Sequence, residues 1–310
     1  MNAAAIQVHR GWTGLPDAAR GCAVALGNFD GVHKGHRAVL AAAAKEGAPL
    51  AAAVFDPHPR RFFAPDSPPF RLSSNAMRAE LLDAAGADHL FALPFDEDLR
   101  ETAPEAFARD ILSEGLGAVR VAVGEDFRFG KDRAGDVAAL EAFGEKYGFE
   151  VAAVAPVEAG GGVASSTRVR DALKDGDVAL ATEILGHDWR IDGEVIGGDR
   201  LGRELGWPTA NIEMGDYLRP LHGVYAVRCR IEDQEAWRPG VASLGLRPTV
   251  EGKDERFEVH LFDFSGDLYG KRVETAFAGF IRGQEKFDSV DALVAEMERD
   301  GEKARALLNA

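Results

Sequence analysis

Two histidines lie three positions apart in GNFDGVHKGHRAVL (residues 27–40), directly after an apolar run. Such a pair can bind a metal ion, act as acid and base, or hold phosphate. A helix that begins after His33 would bring its unpaired N–H groups and partial positive charge beside His33 and His36. Apart from Asp30, no cysteine or carboxylate nearby could be a third metal ligand, so the pattern favours phosphate over metal. Two ordinary surface histidines are the alternative.

A second stretch with possible chemistry is GDRLGRELGWPTANI, residues 198–212. Thr209 and Asn211 lie two apart in extended chain, so their side-chain oxygens face the same way. Hydroxyl and amide oxygens are hard ligands that suit a Mg²⁺ ion carrying nucleotide phosphates. A strand start with a polar edge explains the same residues equally well.

The elements on both sides of the histidine pair alternate between apolar strands and helices. CAVALG (22–27) and LAAAVF (50–55) are typical of buried strands, and AVRVAV (118–123) and EVAAVA (150–155) continue the pattern. Helices are predicted between them, including one over 137–147. Continuous apolar strands separated by helices predict an α/β fold, a parallel sheet covered on both faces, with ligands at the carboxyl ends of the strands.

Two local features of this half give further predictions. Five prolines between residues 57 and 69 predict a loop without regular structure. Thr102, with Glu105 three residues on, has the spacing of a capping box and predicts the start of a helix.

The pattern changes after about residue 187. YAVRCRI (225–231) alternates between apolar and basic residues, FEVHLFDF (257–264) is also typical of a strand, and glycine turns separate such runs. These features predict an antiparallel barrel or sandwich, closed by a helix from about Ser289. We expect two domains, residues 1–186 and 187–310.

Composition limits the classes of function. A chain of 310 residues has room for about two domains, and its net charge of −15 argues against binding long nucleic acid, although not against a nucleotide. No run of about 18 apolar residues and no secretion signal is seen, so we expect no membrane partner and a cytoplasmic location. Cys22 and Cys229 give neither a disulfide framework nor zinc-ligand spacing.

With its neighbouring motifs, the first half resembles a known family. GNFDGVHKGH, FDPHPRRFF (55–63), GEDFRFG (124–130) and SSTRVR (165–170) occur in the order seen in the adenylyltransferase half of bacterial bifunctional riboflavin kinase/FAD synthetases. The resemblance implies a Rossmann-like nucleotidyltransferase domain in which the 5′-phosphate of FMN attacks the α-phosphorus of ATP, giving FAD and pyrophosphate. It implies that ATP is held, and the transfer catalysed, by the histidine pair, and that the SSTxxR segment closes over the same phosphates. The implied ATP-binding residues are Gly27, Asn28, Phe29, Asp30, His33, His36, Ser165, Ser166, Thr167 and Arg170; those of the FMN and nucleotide pocket are Arg60, Asp126 and Arg128.

The second half resembles riboflavin kinase over residues 187–310. The matching motifs are GxxLGxPTAN, HGVYAV (222–227), GVASLGLRPTV (240–250), FEVHLFDF and GFIRGQEKFDS (279–289). The resemblance implies that Glu258 is the base that activates the riboflavin 5′-hydroxyl, although alone it is typical of a solvated strand face. It also implies ATP binding by Gly202, Gly206, Pro208, Thr209 and Asn211, Mg²⁺ binding by Thr209 and Asn211, and flavin binding by Arg282 and Glu285.

Together these features predict a two-activity enzyme that makes FMN from riboflavin and ATP, and then FAD from FMN and ATP, with Mg²⁺. One alternative is a single-activity FMN adenylyltransferase whose barrel only binds flavin, which an intact PTAN motif and Glu258 disfavour. Another is a flavin-storage or RNA-contacting protein, which the acidic charge and two phosphate-binding motifs disfavour. The expected partners are small molecules, and the sequence does not report the oligomeric state.

Overall fold

The computed structural model describes residues 5–197, 206–249 and 252–309, but not the side chains of 247–249 and 252–254. The chain divides into two compact units. The first holds the described part of Met1–Pro68 with Asn75–Ser165, and the second holds Pro69–Ser74 with the described part of Ser166–Ala310. By this division residues 166–186 belong to the second unit, and a domain boundary at residue 186 stays a prediction. In the described ranges no helix has both the length and the apolarity to cross a membrane.

In the first unit, the described strands form one parallel sheet in the order β1-β4-β3-β2-β5-β6. Their bounds are β1 Gln7–Arg10, β2 Ala23–Leu26, β3 Leu50–Asp56, β4 His89–Pro94, β5 Arg120–Gly124 and β6 Glu150–Val154. The central strand β2 is fully buried, as its continuous apolar run predicts. The chain therefore leaves β2 at the middle of the sheet's carboxyl edge, where the histidine motif follows.

Helices cover both faces of this sheet. They are α1 Lys34–Ala43, α2 Pro59–Phe63, α3 Asn75–Asp83, α4 Glu97–Glu101, α5 Pro104–Ala106, which continues as a π-helix over Phe107–Gly115, and α6 Val137–Tyr147. Val24 and Leu26 of β2 pack with the π-helix and α6, whereas Ala25 packs with α1 and α3. Alternate residues of one strand thus enter two different cores, which is the expected α/β arrangement.

Two local predictions were wrong. Thr102 does not cap a helix start: it ends α4, and its hydroxyl donates to the carbonyl of Asp98 at 2.8 Å. Pro104 is the first residue of α5, so the extended residue before it, Ala103, takes the cap position. The proline-rich loop is not wholly irregular either, because Pro59 starts the short helix α2 and His58 caps it.

The second unit contains two helices, α7 Ser166–Lys174 and α8 Val178–Leu185, and its described strands form a closed antiparallel barrel. The strand order is β10-β11-β8-β7-β12-β9, with bounds β7 Arg190–Ile196, β8 Ala210–Ile212, β9 Gly223–Ile231, β10 Trp237–Thr249, β11 Gly252–Leu261 and β12 Arg272–Gly283. Phe257, Val259 and Leu261 alternate along β11 and are buried, so Glu258 and His260 face the outside of the barrel.

The terminal helix, α9 Val290–Leu308, begins where the sequence predicts it. Ser289 caps it by accepting a hydrogen bond from the N–H of Ala292 at 3.1 Å. Ala304 and Leu308 of α9 pack with Val224 and Phe262 outside the barrel. The helix thereby covers one part of the outer wall of the barrel.

Candidate active sites

The loop that follows β2 has a strained backbone held by buried side chains. Phe29 and Val32 have positive φ angles of 51° and 42°, which side chains with a Cβ rarely adopt. Both residues are almost completely buried in the core under α1 and α3. Packing therefore supplies the energy that keeps this loop in a conformation a free peptide would avoid, as is common where a loop contacts a ligand.

The predicted histidine pair lies at the start of α1. His33 is the N-cap, and its Nδ1 accepts a hydrogen bond from the N–H of His36 at 3.2 Å. The two imidazole rings are stacked, with centroids 3.6 Å apart. Because Nδ1 of His33 is an acceptor, its proton lies on Nε2, so that nitrogen is a hydrogen-bond donor at the positive end of a helix. This arrangement suits an anion.

The glycine between the histidines lies in a tightly packed position. A Cβ on Gly35 would lie 3.1 Å from the ring of His33 and 3.3 Å from the carbonyl oxygen of Ala164. The backbone of residue 164, directly before the SSTRVR segment, thus lies against the first turn of α1. Ser165 belongs to the same unit as the histidines.

The other predicted residues of SSTRVR belong to the second unit. Ser166 begins α7 and Thr167 is exposed. Nε of Arg170 donates to the carbonyl oxygen of Phe70 at 2.8 Å, and its guanidinium lies 5.6 Å from the centre of that ring. Their role towards ATP stays a prediction.

An aromatic cluster surrounds the short helix α2, and sequence reasoning did not single it out. Phe62, Phe63 and Phe95 contact one another edge to face, with ring centroids 5.2 to 5.8 Å apart. Phe63 is 62 % exposed, and the predicted FMN-pocket residue Arg60 is exposed on the same short helix. Exposed aromatic surface beside a cation suits a planar ligand that carries a negative group.

The GEDFRFG segment follows β5 with its side chains divided between core and solvent. Phe127 and Phe129 stack with centroids 5.8 Å apart, and Phe129 is buried. Asp126 and Arg128 are exposed, and Arg128 pairs with Asp136 at 3.2 Å.

In the barrel, the pairing of strands places two of the predicted kinase residues side by side. Glu258 of β11 lies directly opposite Asn211 of β8. On its other side, Glu258 lies directly opposite Ser243 of β10. Directly opposite residues point to the same face with Cβ atoms roughly 5 Å apart, so a hydroxyl, a carboxylate and an amide form one row outside the barrel. Thr209 lies two residues before Asn211, just outside β8.

Ser243 was missed by sequence reasoning although it lies inside the GVASLGLRPTV motif. Its type and local sequence carry no signal of a role. Its position beside Glu258 depends on the pairing of β10 with β11, and a register shift by one residue would turn it to the other face.

Next to this row, a histidine side chain holds the backbone of Pro208 by a hydrogen bond. The carbonyl oxygen of Pro208 accepts a hydrogen bond from Nδ1 of His260 at 2.9 Å. Burial lowers the pKa of His260 below its ordinary value, so the imidazole is neutral near pH 7. Gly206 has a φ of 81°, in the left-handed region that favours glycine. The predicted Gly202 lies outside the described residues.

The predicted flavin-binding residues Arg282 and Glu285 differ in their surroundings. Arg282 donates to both carboxylate oxygens of the buried Asp300 on α9, at 2.7 to 3.0 Å, and its guanidinium lies over the ring of Phe287. Glu285 is exposed. Between them, the Gln284 amide donates to the Leu246 carbonyl at 3.0 Å and accepts from the Leu246 N–H at 3.3 Å.

Comparisons with known proteins agree with this two-part geometry. The FAD synthetase family model matches residues 15–168, and the riboflavin kinase family model matches residues 185–308. The bifunctional riboflavin kinase/FMN adenylyltransferase of Pseudomonas fluorescens is 43 % identical, over 97 % of this chain and 98 % of that protein.

The chain belongs to the bifunctional riboflavin kinase/FMN adenylyltransferases. The relative of the same name from Escherichia coli K12 is 40 % identical over 92 % of each chain. A solved structure titled as a macrolide-efflux protein from Streptococcus pneumoniae is 32 % identical, with a TM-score of 0.86, over 97 % of this chain and 99 % of that one. The shared architecture thus extends over both units.

The predicted family, the fold class and the pair of activities, with riboflavin, FMN and ATP as small-molecule substrates, are confirmed by this membership. The single-activity alternative is not favoured, because both family models match. The roles of individual residues stay predictions.

Proposed function

We propose that two separate sets of residues carry the two activities: the loop and helix start around His33 and His36 transfer the adenylyl group, and the row around Glu258 and Asn211 phosphorylates riboflavin. The strand register that sets Glu258 opposite Asn211 carries this assignment. It brings a carboxylate beside a predicted nucleotide ligand, although the two are 47 residues apart in sequence. Neither local pattern nor composition produces such a pair.

In the adenylyltransferase site, the 5′-phosphate oxygen of FMN attacks the α-phosphorus of ATP. A new P–O–P linkage forms, the bond between the α- and β-phosphates breaks, and pyrophosphate leaves with the electron pair. Nε2 of His33 and the first N–H groups of α1 donate to the phosphate oxygens as negative charge shifts towards the leaving group. His36, stacked on His33, fixes the ring that donates.

The flavin of FMN binds beside α2 in this proposal. The exposed ring of Phe63 supplies an apolar surface for the isoalloxazine, and Arg60 on the same helix binds its phosphate. Asp126 and Arg128 line the other part of the pocket. The support is chemical, since stacking surface and a cation match the two ends of FMN.

In the kinase site, Glu258 accepts the proton of the riboflavin 5′-hydroxyl as that oxygen attacks the γ-phosphorus of ATP. The bond to the β-phosphate oxygen breaks, and ADP leaves. The carboxylate is half-buried on the outer face of β11, so substrate can approach it. Ser243 and Asn211 flank it on the two neighbouring strands.

Mg²⁺ fits beside this row because the Thr209 hydroxyl and the Asn211 amide are hard oxygen donors. We propose Thr209 and Asn211 as the residues that hold it together with ATP. When bound, the ion supplies neutralisation of phosphate charge. Gly206 and Pro208 shape the neighbouring backbone for the nucleotide.

We further propose that the enzyme works in the cytoplasm on small molecules alone, with a domain boundary near residue 186. A net charge of −15 and a chain with only two cysteines support this location and these partners.

The test is to incubate the purified chain with riboflavin, ATP and Mg²⁺, and to separate the flavins by chromatography over time. FMN should appear first and FAD after it. Glu258→Gln keeps the size of the side chain and removes the base, so FMN formation should fall at least about 100-fold. FAD formation from added FMN should be unchanged in the same variant.

The matched control is Glu255→Gln, three residues before Glu258 on β11. Glu255 pairs with Arg219 and His222, and it lies in another row of the barrel. Its kinase rate should stay within a factor of about three of the wild type. Wild-type FMN formation by Glu258→Gln would contradict the assignment of the base, and absence of FAD from the wild type would contradict the function itself.

A further inference from the structure

A charged side chain lies in the core of the first unit. Arg78 of α3 is 2 % exposed, and its helix neighbours Met77, Leu81 and Leu82 are buried against the sheet. Burying a guanidinium costs free energy unless its N–H groups find acceptors. A leucine or methionine would fill such a position at a lower cost in desolvation free energy. The hydrogen bonds of Arg78 therefore indicate why an arginine lies there.

The guanidinium of Arg78 joins the loop after β2 to the start of α3. Nη1 donates to the backbone carbonyl of Asn28 at 3.2 Å, and Nη2 donates to Oδ1 of Asn75 at 3.1 Å. The Asn75 amide in turn donates to Oδ2 of Asp56, at the end of β3, at 3.2 Å. This chain of hydrogen bonds crosses the carboxyl edge of the sheet beside the GNFDG loop.

The contact with Asn28 determines the direction of one peptide group. The peptide is planar and trans, so a carbonyl held towards Arg78 makes the N–H of Phe29 point the opposite way. Phe29 is the first of the strained residues, with its φ of 51°. Arg78 therefore acts where the loop leaves ordinary backbone geometry, and the peptide orientation there sets the direction of the donors that follow.

A second feature points to a ligand at this loop. Among the described residues, no group donates a hydrogen bond to the buried Oδ1 of Asn28. Buried polar atoms in native proteins have partners, and an unpaired one suggests that a bound molecule provides the donor. Asn28 thus contacts Arg78 through its backbone carbonyl and offers its side-chain oxygen to a ligand.

We propose that Arg78 is a positioning residue for the adenylyl transfer, fixing the Asn28 peptide and through it the phosphate-binding loop that ends at His33. This inference rests on the function proposed for the first site. Arg78 needs no contact with ATP, because it acts through the backbone of Asn28. Without it the loop can relax towards less strained angles, and binding of ATP would have to restore the strained form.

The experiment uses the full-length chain and three variants: Arg78→Met, Arg78→Lys and Asn75→Ala. KM for ATP and kcat are measured for FAD formation from FMN, and riboflavin kinase activity of the same preparation is the internal control. Arg78→Met should raise KM for ATP about tenfold or more, with a smaller change in kcat. Arg78→Lys can still reach one acceptor and should recover part of the loss, and Asn75→Ala should show a weaker form of the same defect.

The matched control is Arg20→Met. Arg20 also donates two hydrogen bonds to backbone carbonyls, those of Gly115 and Glu114 at 2.7 and 2.8 Å, but it precedes β2. It therefore lies at the opposite edge of the same sheet, and its loss should leave KM for ATP unchanged.

Two outcomes would overturn the proposal: unchanged KM and kcat in Arg78→Met, or an equal loss in Arg20→Met. If Arg78→Met does not fold, Asn75→Ala with wild-type thermal stability and wild-type KM for ATP would overturn it instead. A wild-type chain that makes no FAD would contradict the proposed function. That result differs from the one that overturns the role of Arg78, in which the wild-type chain makes FAD and Arg78→Met has the wild-type KM and kcat.

Discussion

Breaking the buried ion pair between Arg282 and Asp300 should cause a large and local loss of stability. Asp300 is 3 % exposed and accepts bonds from Nε and Nη2 of Arg282, which joins β12 to α9. Asp300→Ala would leave a largely buried guanidinium with Glu296, at 3.7 Å, as a remaining anionic neighbour. Removing one partner of a buried pair costs roughly 3 to 5 kcal/mol, and the remaining anion favours the lower value, about 3 kcal/mol.

Urea unfolding followed by tryptophan fluorescence measures this change, since Trp189 is buried in the second unit. A loss of about 3 kcal/mol corresponds to a fall in melting temperature of about 10 °C. Riboflavin kinase activity should fall, because Arg282 and the nearby Glu285 are the predicted flavin-binding residues, whereas FAD formation from FMN should persist.

Arg299→Ala is the control, because Arg299 is exposed on the same helix and pairs with Glu296, so its loss leaves the bonds between Arg282 and Asp300 in place. Its melting temperature should stay close to that of the wild type. A loss below about 1 kcal/mol in Asp300→Ala, or equal losses in both variants, would refute the reasoning.

Three further predictions concern single contacts. Gly35→Ala should reduce FAD formation roughly tenfold in steady-state assays, because its Cβ would displace the ring of His33. Gln284→Ala should raise KM for riboflavin about fivefold in kinase assays, since it loses both bonds to Leu246. Burial and the nearby His89 lower the pKa of His9 below its ordinary 6.5, so the unfolded chain binds more protons and stability should fall as pH drops below about 6.5. Denaturation midpoints at pH 5.5 and 7.5 measure this fall, which His9→Gln should reduce.

Each of these has a contrary result. Wild-type FAD formation by Gly35→Ala would show that the ring of His33 can shift without loss of activity. An unchanged KM for riboflavin in Gln284→Ala would show that flavin binding does not depend on the bonds between Gln284 and Leu246 of β10. For His9, an equal pH dependence in wild type and His9→Gln would mean that other groups cause the fall.

The fold was largely predictable because burial on both faces leaves a clear sequence pattern. The apolar runs of β2 and β3 and the helix at 137–147 were predicted nearly to their ends. Strand β1 was not predicted, because QVHR is a mostly exposed edge strand with polar residues. The capping error at Thr102 came from a spacing rule that ignored Pro104, whose ring restricts the residue before it.

Of the candidate sites, sequence reasoning found the residues whose chemistry is visible in their type. It predicted His33 and His36 at a helix start, and the structure has His33 as the cap of α1. It missed Ser243, whose neighbour depends on register, and Arg78, whose partner is a backbone carbonyl 50 residues away. Such contacts are set by tertiary packing, and no local pattern encodes them.

The most direct test of two separate sites on one chain is a mixing experiment with riboflavin, ATP and Mg²⁺. Glu258→Gln alone should form FMN, and therefore FAD, at least about 100-fold more slowly than the wild type, and His36→Ala alone should stop at FMN. A mixture of the two variants should make FAD, because FMN released by one is adenylylated by the other. Failure of the mixture to make FAD, or FAD from either variant alone at the wild-type rate, would contradict the account.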